Sequence, residues 1–204
     1  MLGALLVLSV AAGLWGRLDM SFPQAFDHLR TPVPVAVLLP IPFACVIVVS
    51  LHSTMAGFEA GAARRVRRID LEQLGVLTAS SVVGLTVGLS LGGAVETVPA
   101  ALRNLLWWLG VACVSGRMFG RRLAWVLPLA AAIPVYVFGV VDGEVSAWAI
   151  PKLDVNVPHS WMVSGAVVLV GIAMISMDRY WRAPRQARRT GDKSENLLTD
   201  VSVR

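Results

Sequence analysis

Residues 74–91 read LGVLTASSVVGLTVGLSL, eighteen consecutive positions without a charged side chain. A helix crossing the hydrocarbon of a bilayer needs about 20 such residues, with a working range of roughly 17–25. Inside that thickness every backbone polar group must be bonded within the segment, so an uncharged run of this length folds as a helix. Ser80, Gly84, Gly88 and Gly92 recur at four-residue spacing along one helical face. Small side chains there let another helix approach closely. The spacing does not say whether that partner is another span of this chain or a second subunit.

Five further apolar stretches flank this one. They run from residue 1 to 16, from about 33 to 51, from 98 to 115, from 123 to 141 and from 160 to 177. The fold expected is all-α, a polytopic bundle of six transmembrane helices over residues 1–181, with a polar, basic tail at 182–204. Composition agrees. The 204 residues are 56% hydrophobic and 15% charged, against about 25% charged in soluble domains, and the mean hydropathy is +0.68. The first stretch is the shortest. It reads either as a retained span or as a cleaved signal, with small residues Ala11, Ala12 and Gly13 near its end.

Charge sets the expected orientation. With both termini inside, fourteen basic residues fall on the cytoplasmic side. They are Arg64, Arg65, Arg67 and Arg68, then Arg117, Arg121 and Arg122, and seven more beyond Asp178. Only Arg17, Arg30 and Lys152 fall outside, and Arg103 lies within the fourth stretch. This asymmetry follows the positive-inside rule. It also accounts for a net charge of +5 without any nucleic-acid partner. Trp125 and Trp181 fall near the inner face, and Trp148 and Trp161 near the outer one, as interfacial tryptophans do. Cys45 and Cys113 lie inside apolar runs and indicate no disulfide framework.

Three features bear on function. Met55, Phe58, Ala62, Val66 and Ile69 fall within about an 80° arc of a helical wheel, with the four arginines opposite. This predicts an amphipathic helix at the membrane surface. It serves either as an anchor on anionic head groups or as a docking surface for a cytoplasmic partner, with Glu59 and the arginines as its charged groups. Pro40 and Pro42 interrupt the second stretch, and Pro128 and Pro134 the fifth. Each removes a backbone donor, and the carbonyls freed in this way can line a cavity. Arg103 and Asn104 form an intramembrane polar pair about a turn and a half inside the fourth stretch. An intramembrane charge is a functional pointer by default. The plainer expectation is that Arg103 snorkels to the outer head groups or pairs with Glu96.

No catalytic constellation is present in the sequence. His28, His52 and His159 have no metal-ligand spacing, and neither a P-loop nor a G-x-S-x-G motif occurs. The expectation is a non-enzyme without cofactor or metal, and any ATP hydrolysis would reside in a partner chain.

The stretch ALRNLLWWLGVACVSGRMFGRRLAWVLPLAAAIPVYVFG, residues 101–139, resembles permease subunits of type-2 ABC exporters found in actinobacterial genomes. Arg103–Asn104–Leu105 near the start of one span carries part of the likeness. The rest lies in the R-L-A-W-x-x-P-L run from Arg122 to Leu129. The resemblance implies a bacterial plasma-membrane protein working with a second permease copy or paralogue and a cytoplasmic ATPase. That ATPase would contact Met55, Phe58, Glu59, Arg64, Arg65, Arg67 and Arg68. The alternative is a non-transporting accessory, immunity or scaffold protein that binds another membrane protein through the glycine face of residues 80–92.

Overall fold

The computed structural model describes residues 2–23, 30–51, 63–141 and 144–175. Seven helices dominate it: α1 (Leu2–Trp15), α2 (Val35–Leu38), α3 (Pro40–Ser50), α4 (Ala63–Leu91), α5 (Val98–Met118), α6 (Val126–Phe138) and α7 (Pro158–Ile175). Among the described residues, four helical stretches are long and apolar enough to cross a membrane: Ile69–Leu91, Val95–Met118, Arg121–Phe138 and Pro158–Ile175. Leu2–Trp15 and Val35–Ser50 are apolar but shorter. At 1.5 Å per residue they extend only about 21 and 24 Å, against roughly 30 Å of hydrocarbon.

The apolar segments alternate in direction. At one end Arg121 donates to the Leu51 carbonyl and to Asp70, and Gln73 Nε2 donates to the Ser50 carbonyl. The close of α3, the lower part of α4 and the α5–α6 turn therefore share this basic end. At the opposite end Arg17 Nε reaches the Gly93 carbonyl at 2.9 Å, and Val35 N reaches the Leu18 carbonyl at 2.8 Å. The close of α1, the start of α2 and the close of α4 meet there. Trp125, 44% exposed, lies by the basic end and Trp148, 49% exposed, by the other.

Two small antiparallel ladders lie at the opposite end: Asp19–Pro23 pairs with Arg30–Pro34, and Val140–Val141 pairs with Glu144–Val145. They replace expected loop and also take the ends of two expected spans, at Val33–Pro34 and Val140–Val141. There, backbone groups that leave a helix find partners in each other.

The core packs on α5. Trp108, Leu105, Leu109 and Ala112 are buried in the core that α5 forms with Phe43, Ala44, Ile47 and Val48 of α3, and Cys113 lies buried beside Gly171 of α7. Trp108 therefore packs against protein at the bundle centre, and Trp107 is half-buried beside it. On α7 the buried positions Ser160, Ser164, Val168, Gly171 and Ile175 recur every three or four residues. They mark its inward face. This face crosses α5 with backbone against backbone. A Cβ added to Gly110 would sit 2.6 Å from the Val167 carbonyl carbon, and one on Gly171 would sit 2.7 Å from the Gly110 carbonyl oxygen. The sequence reading missed this crossing because Gly110 and Gly171 are single glycines without a repeating partner.

Burial of Cys113 yields a direct test. In the folded protein Cys113 is fully enclosed. A maleimide is expected to leave it unmodified in mild detergent and to react fully once the bundle is unfolded in sodium dodecyl sulfate. Peptide mass spectrometry, which separates Cys113 from the half-buried Cys45, distinguishes the two. Rapid labelling of Cys113 under native conditions would contradict the packing of α5 on α3 and α7.

Candidate functional site: a buried polar hub and a basic-end latch

Arg103 is fully buried, about a turn and a half into α5, where the preceding Pro99 helps to start the helix. It neither snorkels nor pairs with Glu96. Its guanidinium turns inward, and its acceptors are an amide, a hydroxyl and backbone carbonyls. Nε and Nη2 donate to Asn104 Oδ1 at 3.3 and 3.2 Å. Nη2 also donates to the Pro151 carbonyl at 3.1 Å. Nη1 donates to the Leu153 carbonyl at 2.8 Å, the Asp154 carbonyl at 3.2 Å and Ser160 Oγ at 3.2 Å. Every donor nitrogen of the guanidinium is thus engaged. Snorkelling fails because a compact loop lies over the end of α5 and presents carbonyls where head groups would otherwise be.

Asn104 extends the hub. Its Nδ2 donates to the Pro151 carbonyl at 3.1 Å and to the Val37 carbonyl at 3.3 Å. Tyr136 of α6 also reaches the Val37 carbonyl, at 3.4 Å. Val37 lies in the turn that Pro40 and Pro42 interrupt, since neither proline has an N–H to continue the ladder. The proline break and the polar pair, read separately in sequence, are one site. The Val37 carbonyl faces side-chain donors from two other helices rather than an open cavity. Lys152, on the same loop, has its ammonium pKa lowered by burial.

The basic end holds the second arrangement. Arg121 Nη2 pairs with Asp70 Oδ2 at 2.9 Å, and Nη1 donates to the Leu51 carbonyl at the close of α3. Both charged side chains are largely buried, at 17% and 16% exposure. Such a pair is less screened than a surface one. Ser115 completes the corner, donating to the Leu123 carbonyl at 3.0 Å and accepting from Leu127 N.

Asp70 belongs to α4, which runs unbroken from Ala63 to Leu91. The basic positions Arg64, Arg65, Arg67 and Arg68 therefore continue the axis of that long helix. No Pro or Gly lies between Ala63 and Leu74 to break the turn, so the part of the expected surface helix from Ala63 to Ile69 is continuous with the apolar helix. Met55, Phe58 and Glu59 lie outside the described residues, as do the four arginine side chains and the tail at 182–204.

The face of Ser80, Gly84, Gly88 and Gly92 meets α1 of the same chain. A Cβ on Gly88 would fall 2.4 Å from the Ser9 carbonyl oxygen, and one on Gly92 would fall 2.4 Å from the Gly13 carbonyl oxygen. At Gly84 the near neighbour is Ser9 Oγ. Ser80 lies at the rim and donates to the Val76 carbonyl at 2.9 Å. Alongside runs an open apolar groove of about 1000 Å³, lined by residues including Leu6, Val10, Val83 and Val87. No group of three or more His, Cys, Asp or Glu side chains among the described residues could hold a metal.

The four long apolar helices and the bundle around them define the class, a helical membrane protein. No family model, no curated protein and no solved structure matches the chain.

Proposed function

We propose that the chain is the membrane-spanning permease subunit of an ATP-driven exporter in the bacterial plasma membrane, with six spans and both termini inside. In this reading the short segments Leu2–Trp15 and Val35–Ser50 cross together with their flanking ladder and turn. The bilayer thins locally to meet them, at a modest cost per ångström. ATP is hydrolysed by a separate cytoplasmic ATPase, and a second permease copy or paralogue completes the membrane part.

The observation that carries the reading is the Asp70–Arg121–Leu51 latch. It ties the lower part of α4 to the α5–α6 turn and to the close of α3. Force applied to the basic extension of α4 then reaches three helices at once. A loop serving only as a topological anchor needs no such buried tie.

The test is purification of the tagged protein from its native membrane in mild detergent, with mass spectrometry of what accompanies it. A stoichiometric P-loop ATPase is expected, lost when Arg64, Arg65, Arg67 and Arg68 are changed to Glu. A different membrane protein and no ATPase would overturn the reading. Asp70→Asn is expected to leave the ATPase bound and to reduce ATP-driven transport at least several-fold, since the dock persists while the tie is weakened. Transport at the parent rate would remove the latch from the mechanism.

One observation favours the alternative, a non-transporting accessory protein. The intramembrane polar groups of the hub are satisfied by the chain itself, as a static scaffold requires. The glycine face proposed for its partner, however, is occupied by α1. Such a protein would have to bind through another surface.

A further inference from the structure

We propose that the strap from Ser146 to Val157 is an outer gate, opening as a unit while the helical bundle stays folded, with Arg103 as its catch. Its role as a gate rests on the permease reading; its opening does not.

The strap is a body in its own right. Successive turns close on each other: Ala149 N to the Ser146 carbonyl at 2.9 Å, Lys152 N to Ala149 at 2.8 Å, Leu153 N to Ile150 at 3.2 Å and Val157 N to Asp154 at 3.3 Å. Asp154 Oδ1 accepts from both Asn156 N and Asn156 Nδ2, at 2.9 and 3.0 Å. These bonds lie within the strap and survive its displacement.

Its attachments to the bundle are of a different kind. Arg103 and Asn104 reach up from α5 to the carbonyls of Pro151, Leu153 and Asp154. The strap's underside, Ala149, Ile150 and Pro151, is buried. At its two ends Ser146 N bonds to the Gly139 carbonyl and Ser160 N to the Val157 carbonyl. These end bonds, with Trp161 Nε1 donating to the Val155 carbonyl at 3.0 Å beside the second of them, can act as hinges about which the middle of the strap lifts.

The choice of acceptors makes the catch reversible. A guanidinium opposite a carboxylate would lose a full counter-charge on opening. Here the closed state sets a buried cation against carbonyl dipoles, and its desolvation opposes the hydrogen bonds gained. Lifting the strap breaks those bonds and returns the cation to water at the bundle's end. The opposing terms hold the gap between the closed and open states to a few kcal/mol, which is what a two-state element requires. Beneath the strap, Asn104 and Tyr136 converge on the broken turn of α2 at Val37. Opening therefore uncovers the point where α2, α5 and α6 meet.

The experiment labels Ala149→Cys in sheared membranes with a maleimide reaching both faces, and reads each thiol by peptide mass spectrometry. Cys113, enclosed between α5 and α7, reports unfolding in the same molecule. Slow modification at position 149 is expected in the parent background. Asn104→Ala or Arg103→Gln should accelerate it at least tenfold, with Cys113 unmodified throughout. Ile150→Cys serves if the first variant does not accumulate.

Modification at 149 only in step with Cys113 would overturn the proposal, since the strap would then move only on unfolding. An unchanged rate in Arg103→Gln would overturn the catch. In membranes that also hold the ATPase, ATP is expected to change the rate at 149. An unchanged rate there would remove the strap's role in transport while leaving its opening established; the permease reading is decided separately, by the co-purifying ATPase.

Discussion

Arg103→Met is expected to destabilise the bundle by about 1–3 kcal/mol, the range for leaving buried hydrogen-bond acceptors without their donor. The variant keeps the stem and removes every donor. The Leu153 carbonyl, Ser160 Oγ and Asn104 Oδ1 lose their donor, while the Pro151 carbonyl keeps Asn104 Nδ2 and the Asp154 carbonyl keeps Val157 N. Replacing a buried ion pair with apolar residues is often neutral, because both partners can be replaced together. That escape is closed here, since three of the acceptors are backbone. Hydrogen bonds inside membrane proteins average only about 0.6 kcal/mol each. Several lost at once, with the acceptors still facing a dry end of α5, reach the figure given. Arg103→Lys should retain part of the stability, because an ammonium carries three donors but cannot reproduce the planar fork. The measurement is a midpoint shift in a dodecyl sulfate titration followed by tryptophan fluorescence. Trp161 serves as local reporter because its Nε1 donates to the Val155 carbonyl on the strap. A midpoint for Arg103→Met equal to the parent's would show that the hub contributes nothing to stability.

Gly88→Ile is expected to cost about as much, through a different term. A β-carbon at Gly88 falls 2.4 Å from the Ser9 carbonyl oxygen and 3.2 Å from the Ala12 β-carbon. The first of these is backbone, so no rotamer change relieves it and α1 must move off α4. Overpacking of this kind costs about 1–3 kcal/mol, occasionally more. Two terms oppose each other in the milder Gly88→Ala. Helix propensity favours alanine by about 1 kcal/mol, but the same β-carbon clash remains, so a net loss is expected. Gly75 on the same helix is the control, because a β-carbon there meets nothing within 4 Å. Gly75→Ala should be neutral or stabilising, by up to about 1 kcal/mol. Opposite signs at positions 75 and 88, read in the same titration, would identify the α1 contact as the cause. Equal effects would show that helix propensity alone is being measured.

The helical membrane class was legible in the sequence because hydrocarbon leaves an uncharged run of that length so few alternatives. Residues 74–91 needed no tertiary information to be read as a helix. The four-residue spacing of Gly84, Gly88 and Gly92 likewise announced a close approach, since a repeat of small residues on one face has few other uses in lipid. Its partner was not legible. That α1 fills the face depends on the Arg17–Gly93 tie and on the ladder from Asp19 to Pro34, which bring distant parts of the chain together. The lone glycines 110 and 171 carried no periodic signal at all.

Charges were read least well one by one. Arg121 looked like one of fourteen topological residues, and only the fold sets it between Asp70 and the Leu51 carbonyl. Arg103 looked ready to snorkel, and only the fold lays a strap of carbonyls over it. The amino-acid sequence by itself determined which segments leave water and which end of the bundle is basic, because those follow from summed transfer free energies along the chain. Tertiary structure alone decided which charges are buried, and against what. A guanidinium's environment is made by groups some fifty residues away, and no local pattern encodes their arrival.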